Sequence, residues 1–190
     1  MSLLYLGLVH YPVLNKNGEI IQTSVTNLDI HDIARSAATF GVHNYFIITP
    51  DVSQQDFIRK VIKFWQSEAG QTYNAQRSRA LSIIQITDSI EASKKQITTQ
   101  EAMSPIVITT TARLMKQQIG LEDLVKLHNA DRPVLILMGT GYGLTENVHS
   151  DADFVLQPIS GAGDYNHLSV RSAAAIILEH ITSAVYKGRY

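Results

Sequence analysis

The chain has 190 residues, of which 45% are hydrophobic, and its formal net charge is -1. This length and apolar content suffice for one buried core but hardly for two, so we expect a single domain spanning residues 1–190. The near-neutral charge excludes a globally basic nucleic-acid coat, so any contact with RNA has to come from a local basic patch. The absence of cysteine excludes disulfides, thiolate zinc sites and a cysteine nucleophile.

The first residues, MSLLYLGLVHYPV, contain no basic leader and no small-residue cleavage site. Their apolar run therefore predicts a first strand rather than a signal peptide. No apolar run in the sequence approaches the length that crosses a bilayer. The simplest expectation is a cytoplasmic protein with no membrane partner.

Six short apolar runs alternate with helical patterns along the chain. The runs lack the polar alternation of half-exposed strands, which indicates strands buried on both faces of a parallel sheet. They cover residues 3–10, 45–49, 81–86, 105–109, 133–138 and 154–156, and the main helical patterns cover residues 26–41, 53–65, 88–101, 121–129 and 170–185. Residues 69–79 look polar and irregular. The order predicts an α/β fold, a mostly parallel sheet with helices on both faces.

The first helix begins with a capping pattern and continues with a charged face. Thr26 is followed three residues later by Asp29, which resembles a capping box and places a carboxylate in the favourable first turn. Arg35 lies further along, on a face that it shares with His31 and Asp32. A surface salt bridge between Arg35 and Asp32 is the plainest interpretation of that face.

Two loops come where an open α/β sheet binds ligands, at the carboxyl ends of strands. Gly139, Gly141 and Gly143 put three glycines in five residues, which indicates either positive φ or a close backbone approach, with a simple tight turn as the alternative. The spacing is not the dinucleotide fingerprint, and there is no Walker A sequence. In the later loop, Asp164 and Asn166 are typical turn and helix-capping residues.

The last helical pattern is apolar over more than one face. Residues at three- and four-residue spacing form one stripe, and Ile176 and Leu178 extend it to the side. Either this helix is deeply buried in its own core or its second face meets a partner subunit. The stripe consists of Val170, Ala173, Ala174, Ile177, Ile181, Ala184 and Val185.

Other polar residues give weaker signals. The seven histidines show no metal-binding spacing, so we expect no metal site. Arg77 and Arg79 would suit a phosphate backbone, but they are equally typical of solvated surface charge. The nucleophile-elbow sequence G-x-S-x-G is absent.

Three segments together resemble a known family. DIHDIARSAATFG (residues 29–41), ILMGTGYGL (136–144) and LQPISGAGDYNHLSVRSAAAIIL (156–178) are similar, in order and spacing, to the three motifs of the SPOUT, or α/β-knot, RNA methyltransferases. The resemblance covers almost the whole chain and is closest to the small stand-alone bacterial group. It implies a C-terminal trefoil knot, a homodimer formed through the knotted helix, an RNA substrate such as tRNA or rRNA, and S-adenosylmethionine as the cofactor.

The resemblance also assigns cofactor residues to three loops. They are Thr110 in the first, Met138, Gly139, Gly141 and Gly143 in the second, and Leu156, Pro158, Ile159, Asn166, His167, Leu168 and Ser169 in the third.

Catalytic residues follow from the first motif. Arg35 matches the arginine of the A-I-x-R-T-A pattern in members that methylate a ribose hydroxyl, where it would stabilise a developing oxyanion. Asp29 or Asp32 would accept a proton if the target is a base nitrogen. The chain departs from the pattern, since Asp29 and His167 stand where asparagines are expected and Tyr142 stands where many relatives have an acidic residue.

Two other functions stay open on the sequence alone. One is a protein that binds the cofactor and RNA without catalysis. The other is a small-molecule α/β enzyme that uses the same crevice.

Overall fold

The computed structural model describes residues 3–129, 131–163 and 165–185. A seven-stranded sheet forms its centre, and neighbouring strands of that sheet pair in parallel. The strands are β1 (Leu4–Val9), β4 (Asn44–Ile48), β5 (Ile84–Thr87), β6 (Ile106–Thr110), β7 (Gln118–Ile119), β8 (Val134–Gly139) and β9 (Phe154–Leu156), in the order β5-β4-β1-β8-β6-β9-β7. β2 (Val13–Leu14) and β3 (Ile20–Ile21) form a separate antiparallel hairpin. The predicted α/β fold with a parallel sheet is confirmed.

The helices cover both faces of this sheet. They are a π-helical turn (Asp29–Ile33) that continues into α1 (Ala34–Thr39), then α2 (Val52–Gln66), α3 (Glu68–Tyr73), α4 (Ala75–Leu81), α5 (Ile90–Glu101), α6 (Leu121–His128), α7 (Glu146–Ser150) and α8 (Val170–Val185). One core contains residues of α1, α2, α4, α6 and α8, and the other contains residues of α5 and the hairpin, with α7 packed against it. The trefoil knot that the resemblance implies stays a prediction.

Strand β1 shows why the apolar runs are continuous. Leu6 and Leu8 belong to one core, whereas Tyr5 and Val9 belong to the other, and all four are at most 2% exposed. Since alternate side chains point to opposite faces of a sheet, a strand buried on both faces needs apolar residues at every position.

The segment predicted to be irregular, residues 69–79, instead contains most of α3 and most of α4. Each helix begins at a residue whose side chain accepts a backbone hydrogen bond: Ser67 Oγ from Gly70 N (3.3 Å) and Asn74 Oδ1 from Arg77 N (2.9 Å). Such caps stabilise helices too short and too polar to show an apolar period. The strand expected from residue 81 begins only at Ile84, because Leu81 still belongs to α4.

The last helix is buried more asymmetrically than the sequence indicates. Ala174, Ile177, Leu178 and Ile181 are at most 3% exposed. Leu178, which the sequence pattern places on the side of the apolar stripe, packs in the chain's own core, and Ile176 is only partly exposed. Within the part of the chain that the structure describes, no helix is both long and apolar enough to cross a membrane.

We predict that Gly70→Ala destabilises the fold. A Cβ at this position would lie against the Phe64 carbonyl oxygen and 2.8 Å from Trp65 Cα, both backbone atoms of the neighbouring helix. Such overpacking should lower the free energy of unfolding by about 1–3 kcal/mol. Urea denaturation measures this change.

Thr72→Ala is the matched control, since Thr72 is exposed on the same helix. Its effect should stay within about 0.5 kcal/mol. A Gly70→Ala protein as stable as the wild type would show that α2 and α3 can move apart freely.

Candidate active site

A cavity of about 840 Å³ opens where β6, β8 and β9 end and α8 begins. This volume lies within the range of roughly 300–1,000 Å³ that is typical of small-molecule sites. Pro158 is not among its lining residues. Those expected from the sequence that do line it are Thr110, Met138, Gly139, Gly141, Gly143, Leu156, Ile159, Asn166, His167, Leu168 and Ser169.

The glycine loop is held against the hairpin. Leu14 N donates to Gly143 O, and Tyr142 N donates to Leu14 O, both at 2.9 Å. Gly141 has φ +60°, and a Cβ there would lie 2.9 Å from Leu14 O. The loop therefore needs glycine at this position both for positive φ and for close backbone approach.

The loop before α8 forms the opposite wall. Ser169 Oγ accepts from Ser172 N (3.2 Å), so Ser169 caps the start of the helix. Asn166 Nδ2 donates to Ala112 O (3.4 Å) and so ties this loop to the one after β6. Asp164 lies outside the described residues. The capping role expected for this loop thus falls to Ser169.

One end of the cavity carries a buried ion pair. Asp29 is only 4% exposed, and its Oδ1 accepts from Arg171 Nη1 at 3.0 Å. Its Oδ2 accepts from Thr26 Oγ1 at 2.5 Å, while Asp29 N donates to the same hydroxyl at 3.1 Å. The predicted cap by Thr26 is confirmed, and the carboxylate has one further partner, Arg171.

Arg171 was missed by the sequence analysis, although a signal was present. The positive end of a helix dipole opposes a cation in the first turn, where Arg171 lies. A basic residue at such a position indicates that a carboxylate nearby compensates for this unfavourable interaction. Asp29 is that carboxylate, and Asp32 Oδ2 lies 3.8 Å from Arg171 Nε.

A hydroxyl network lies behind the glycine loop. Thr140 Oγ1 donates to Val9 O (3.0 Å) and lies 2.5 Å from Thr23 Oγ1, which is 3.1 Å from His10 Nδ1. Burial lowers the pKa of His10 to about 4, although the charge of Asp29 opposes this shift. The imidazole is therefore neutral at pH 7, and the network fixes the loop without adding charge.

The other two expected catalytic residues lie outside this cavity. Asp32 is half-exposed and contacts Arg171, not Arg35. Arg35 is exposed on α1 and lines a second cavity of about 380 Å³ together with Arg77 and Arg79. The surface pair expected between Arg35 and Asp32 is absent from the ion pairs of the described residues.

Two relatives are similar over nearly all of the chain. A protein of Aquifex aeolicus, described as uncharacterised, is 36% identical over 180 residues, which cover 94% of this chain and 88% of that protein. The tRNA (guanine-N(1)-)-methyltransferase of Oleidesulfovibrio alaskensis is 39% identical over 178 residues, which cover 94% of this chain. The match spans only 41% of the length of the latter enzyme.

Solved structures share the fold at low identity. A probable methyltransferase from Bordetella pertussis Tohama I has a TM-score of 0.64 at 13% identity, covering 97% of this chain and 96% of that one. The SpoU methyltransferase AviRb of Streptomyces viridochromogenes, solved with the cofactor AdoMet, has a TM-score of 0.62 at 17% identity. The match covers 99% of this chain and 59% of that one.

A family model described as SAM-dependent RNA methyltransferase matches residues 3–183. This span includes all three loops of the large cavity and both partners of its ion pair. The chain therefore belongs to the family of S-adenosylmethionine-dependent RNA methyltransferases.

Proposed function

We propose that the chain methylates tRNA at a ring nitrogen of a base, within the large cavity. The convergence of three loops and the Asp29–Arg171 pair on this one cavity is the observation that carries the proposal. The relative named as a tRNA methyltransferase supports tRNA as the substrate. A tRNA substrate is consistent with a reaction in the cytoplasm, which is the compartment that we propose.

The lining residues fit S-adenosylmethionine. Met138, Leu156 and Ile159 would offer an apolar surface to the cofactor, and the glycine loop would let backbone groups approach its polar parts. The cofactor supplies a methyl group that is already activated by a sulfonium. The protein has to hold the nucleophile in line, exclude water and take up a proton.

Asp29 is the candidate proton acceptor. Asp29 lines the cavity, is nearly buried, and its carboxylate is held by Thr26 and Arg171. A fixed carboxylate within reach of the nucleophile is a suitable general base for a base nitrogen. Asp32, which shares Arg171 but does not line the cavity, would act by holding that arginine in place.

A ribose hydroxyl is the second candidate target, and Arg35 in its A-I-x-R-T-A-like segment is the observation that favours it. Since Arg35 lines a different cavity of the same chain, it reaches the reacting atoms only if a second copy brings it there. The ribose hypothesis therefore depends on the dimer.

Single-turnover methyl transfer to unmodified tRNA, with unmodified rRNA in parallel, tests the function. With a base nitrogen as target, Asp29→Asn should slow transfer about 10²- to 10⁴-fold, while Arg35→Ala at saturating RNA should slow it less than threefold. Mass spectrometry of the digested RNA identifies the methylated atom.

The reverse pattern, a loss of about 10²- to 10³-fold for Arg35→Ala alone, would indicate an oxyanion and a ribose target. Cofactor binding without any transfer would indicate a non-catalytic RNA-binding protein. Methyl transfer to small molecules and not to RNA would indicate a small-molecule α/β enzyme that uses the same cavity.

Gly141→Val should weaken cofactor binding more than about tenfold, because a branched side chain fits neither the positive φ nor the contact with Leu14 O. Calorimetric titration with S-adenosylmethionine measures the affinity. Gly18→Val is the matched control, since Gly18 also has positive φ (80°) but open space around it. Equal affinities of Gly141→Val and wild type would show that the loop is only a turn.

We also propose a homodimer through α8. Ala175 and Ile176 are partly exposed and Ala184 is exposed, so apolar surface remains after the core is filled. Sedimentation at micromolar concentration should give a dimer, and Ile176→Glu should give a monomer. Lys95→Glu, on the exposed side of α5, should leave the dimer intact. A monomeric wild type would contradict the proposal.

A further inference from the structure

Three arginines converge on the smaller cavity, between α1 and α4. Arg35, Arg77 and Arg79 line it with Asn74 and Gln76, and no carboxylate does. None of the three takes part in an ion pair anywhere in residues 3–129, 131–163 and 165–185. Like charges that line one cavity raise its positive potential, so the arrangement favours the binding of an anion.

Arg77 is less exposed than Arg35 and Arg79 and is stacked on an aromatic ring. Its guanidinium carbon lies 4.9 Å from the centre of the Trp65 ring, over an indole that is only 8% exposed. Its Nε is buried and has no hydrogen-bond partner in the described structure. A guanidinium stacked on an aromatic ring loses little entropy on binding, and its forked donors match phosphate oxygens.

The pKa of the neighbouring His31 is affected by the positive charge of Arg77. Burial lowers the pKa of His31 first, and the charge of Arg77 lowers it further, with a smaller contribution from Arg35 that Asp32 opposes. The His31 ring packs edge-on against Trp65, with ring centres 5.6 Å apart. His31 therefore lies close enough to Arg77 to be affected by its charge.

Exposed aromatic rings lie beside the arginines. Tyr73 is 79% exposed and Phe64 is 55% exposed, with ring centres 6.2 Å and 5.3 Å from that of Trp65. Arginines next to exposed aromatic rings are typical of surfaces that bind single-stranded nucleic acid, because the cations contact phosphates and the rings stack on bases. Free phosphate has no base that could stack on such rings, so a site for it does not require them.

We infer that the cavity between α1 and α4 binds a phosphodiester of the RNA substrate and that Tyr73 stacks on a neighbouring base. The inference rests on the proposed function, since it assigns to the same RNA a second contact outside the reacting cavity. It supplies the local basic patch that the near-neutral chain needs.

The test measures the affinity of unmodified tRNA by fluorescence anisotropy over a series of salt concentrations. The double variant Arg77→Met/Arg79→Met keeps the apolar stems but removes both charges. It should bind tRNA at least about tenfold more weakly, as hydrogen bonds to charged groups predict. The slope of log K against log salt should fall by about 0.7 for each phosphate that the variant no longer neutralises, while cofactor affinity stays unchanged.

Arg59→Met is the matched control for the charge change. Arg59 is exposed on α2 and already paired with Asp56 at 2.8 Å, so its removal should alter tRNA affinity less than twofold. Tyr73→Ala should weaken binding without altering the salt slope. If proteins with Arg77→Met fail to fold, the single variant Arg79→Met is measured instead. Arg79 is exposed, so its replacement should not affect folding.

Wild-type affinity and slope in the double variant would overturn the inference. Inorganic phosphate that protects the wild type but not the double variant against heat, with equal tRNA affinities, would assign the cavity to free phosphate instead. A wild type that binds the cofactor but no RNA would overturn the proposed function itself, and with it this inference. The last result is distinguished from the others because it needs no variant.

Discussion

The buried carboxylate of Asp29 is the constraint on which the large cavity depends. At 4% exposure, a carboxylate without partners would shift the fold toward any conformation that returns it to water. Arg171 and Thr26 supply the compensating hydrogen bonds, and Arg171 belongs to the first turn of α8. The ion pair therefore joins the first helical segment to the last helix, 142 residues apart in sequence.

This long-range pair also determines the shape of the cavity. The loop that precedes α8 forms one wall, so fixing the start of α8 fixes that wall. The other wall is the glycine loop, which the hairpin holds through two backbone hydrogen bonds with Leu14. A π-helical turn contains Asp29 itself, and such turns are frequent at functional sites. Both walls of the cavity are thus fixed by contacts with other parts of the chain, and the hairpin among them lies outside the three segments that resemble the family motifs.

The sequence predicted the sheet well, because strands buried on both faces have to be continuously apolar. It also located the cavity loops, because glycines mark positions that need positive φ or close approach of the backbone. The sequence-based prediction failed where individual side-chain contacts in the folded chain determine the local structure. α3 and α4 depend on the caps Ser67 and Asn74 rather than on an apolar stripe. The apolar pattern of α8 left open whether Leu178 meets the chain's own core or a partner, and the structure buries it in that core.

The same limit applies to charge. Composition shows a net charge of -1, but it cannot show which carboxylates are already paired. Arg35 has Asp32 three residues before it, and helical spacing alone pairs them. In the folded chain, Arg171 lies between Asp29 and Asp32 and contacts both. Asp32 therefore has its ion pair with Arg171, while Arg35 lines the smaller cavity with Arg77 and Arg79. Arg171 on α8 thus pairs with both carboxylates near one end of the large cavity, whereas the smaller cavity is lined by three arginines and no carboxylate.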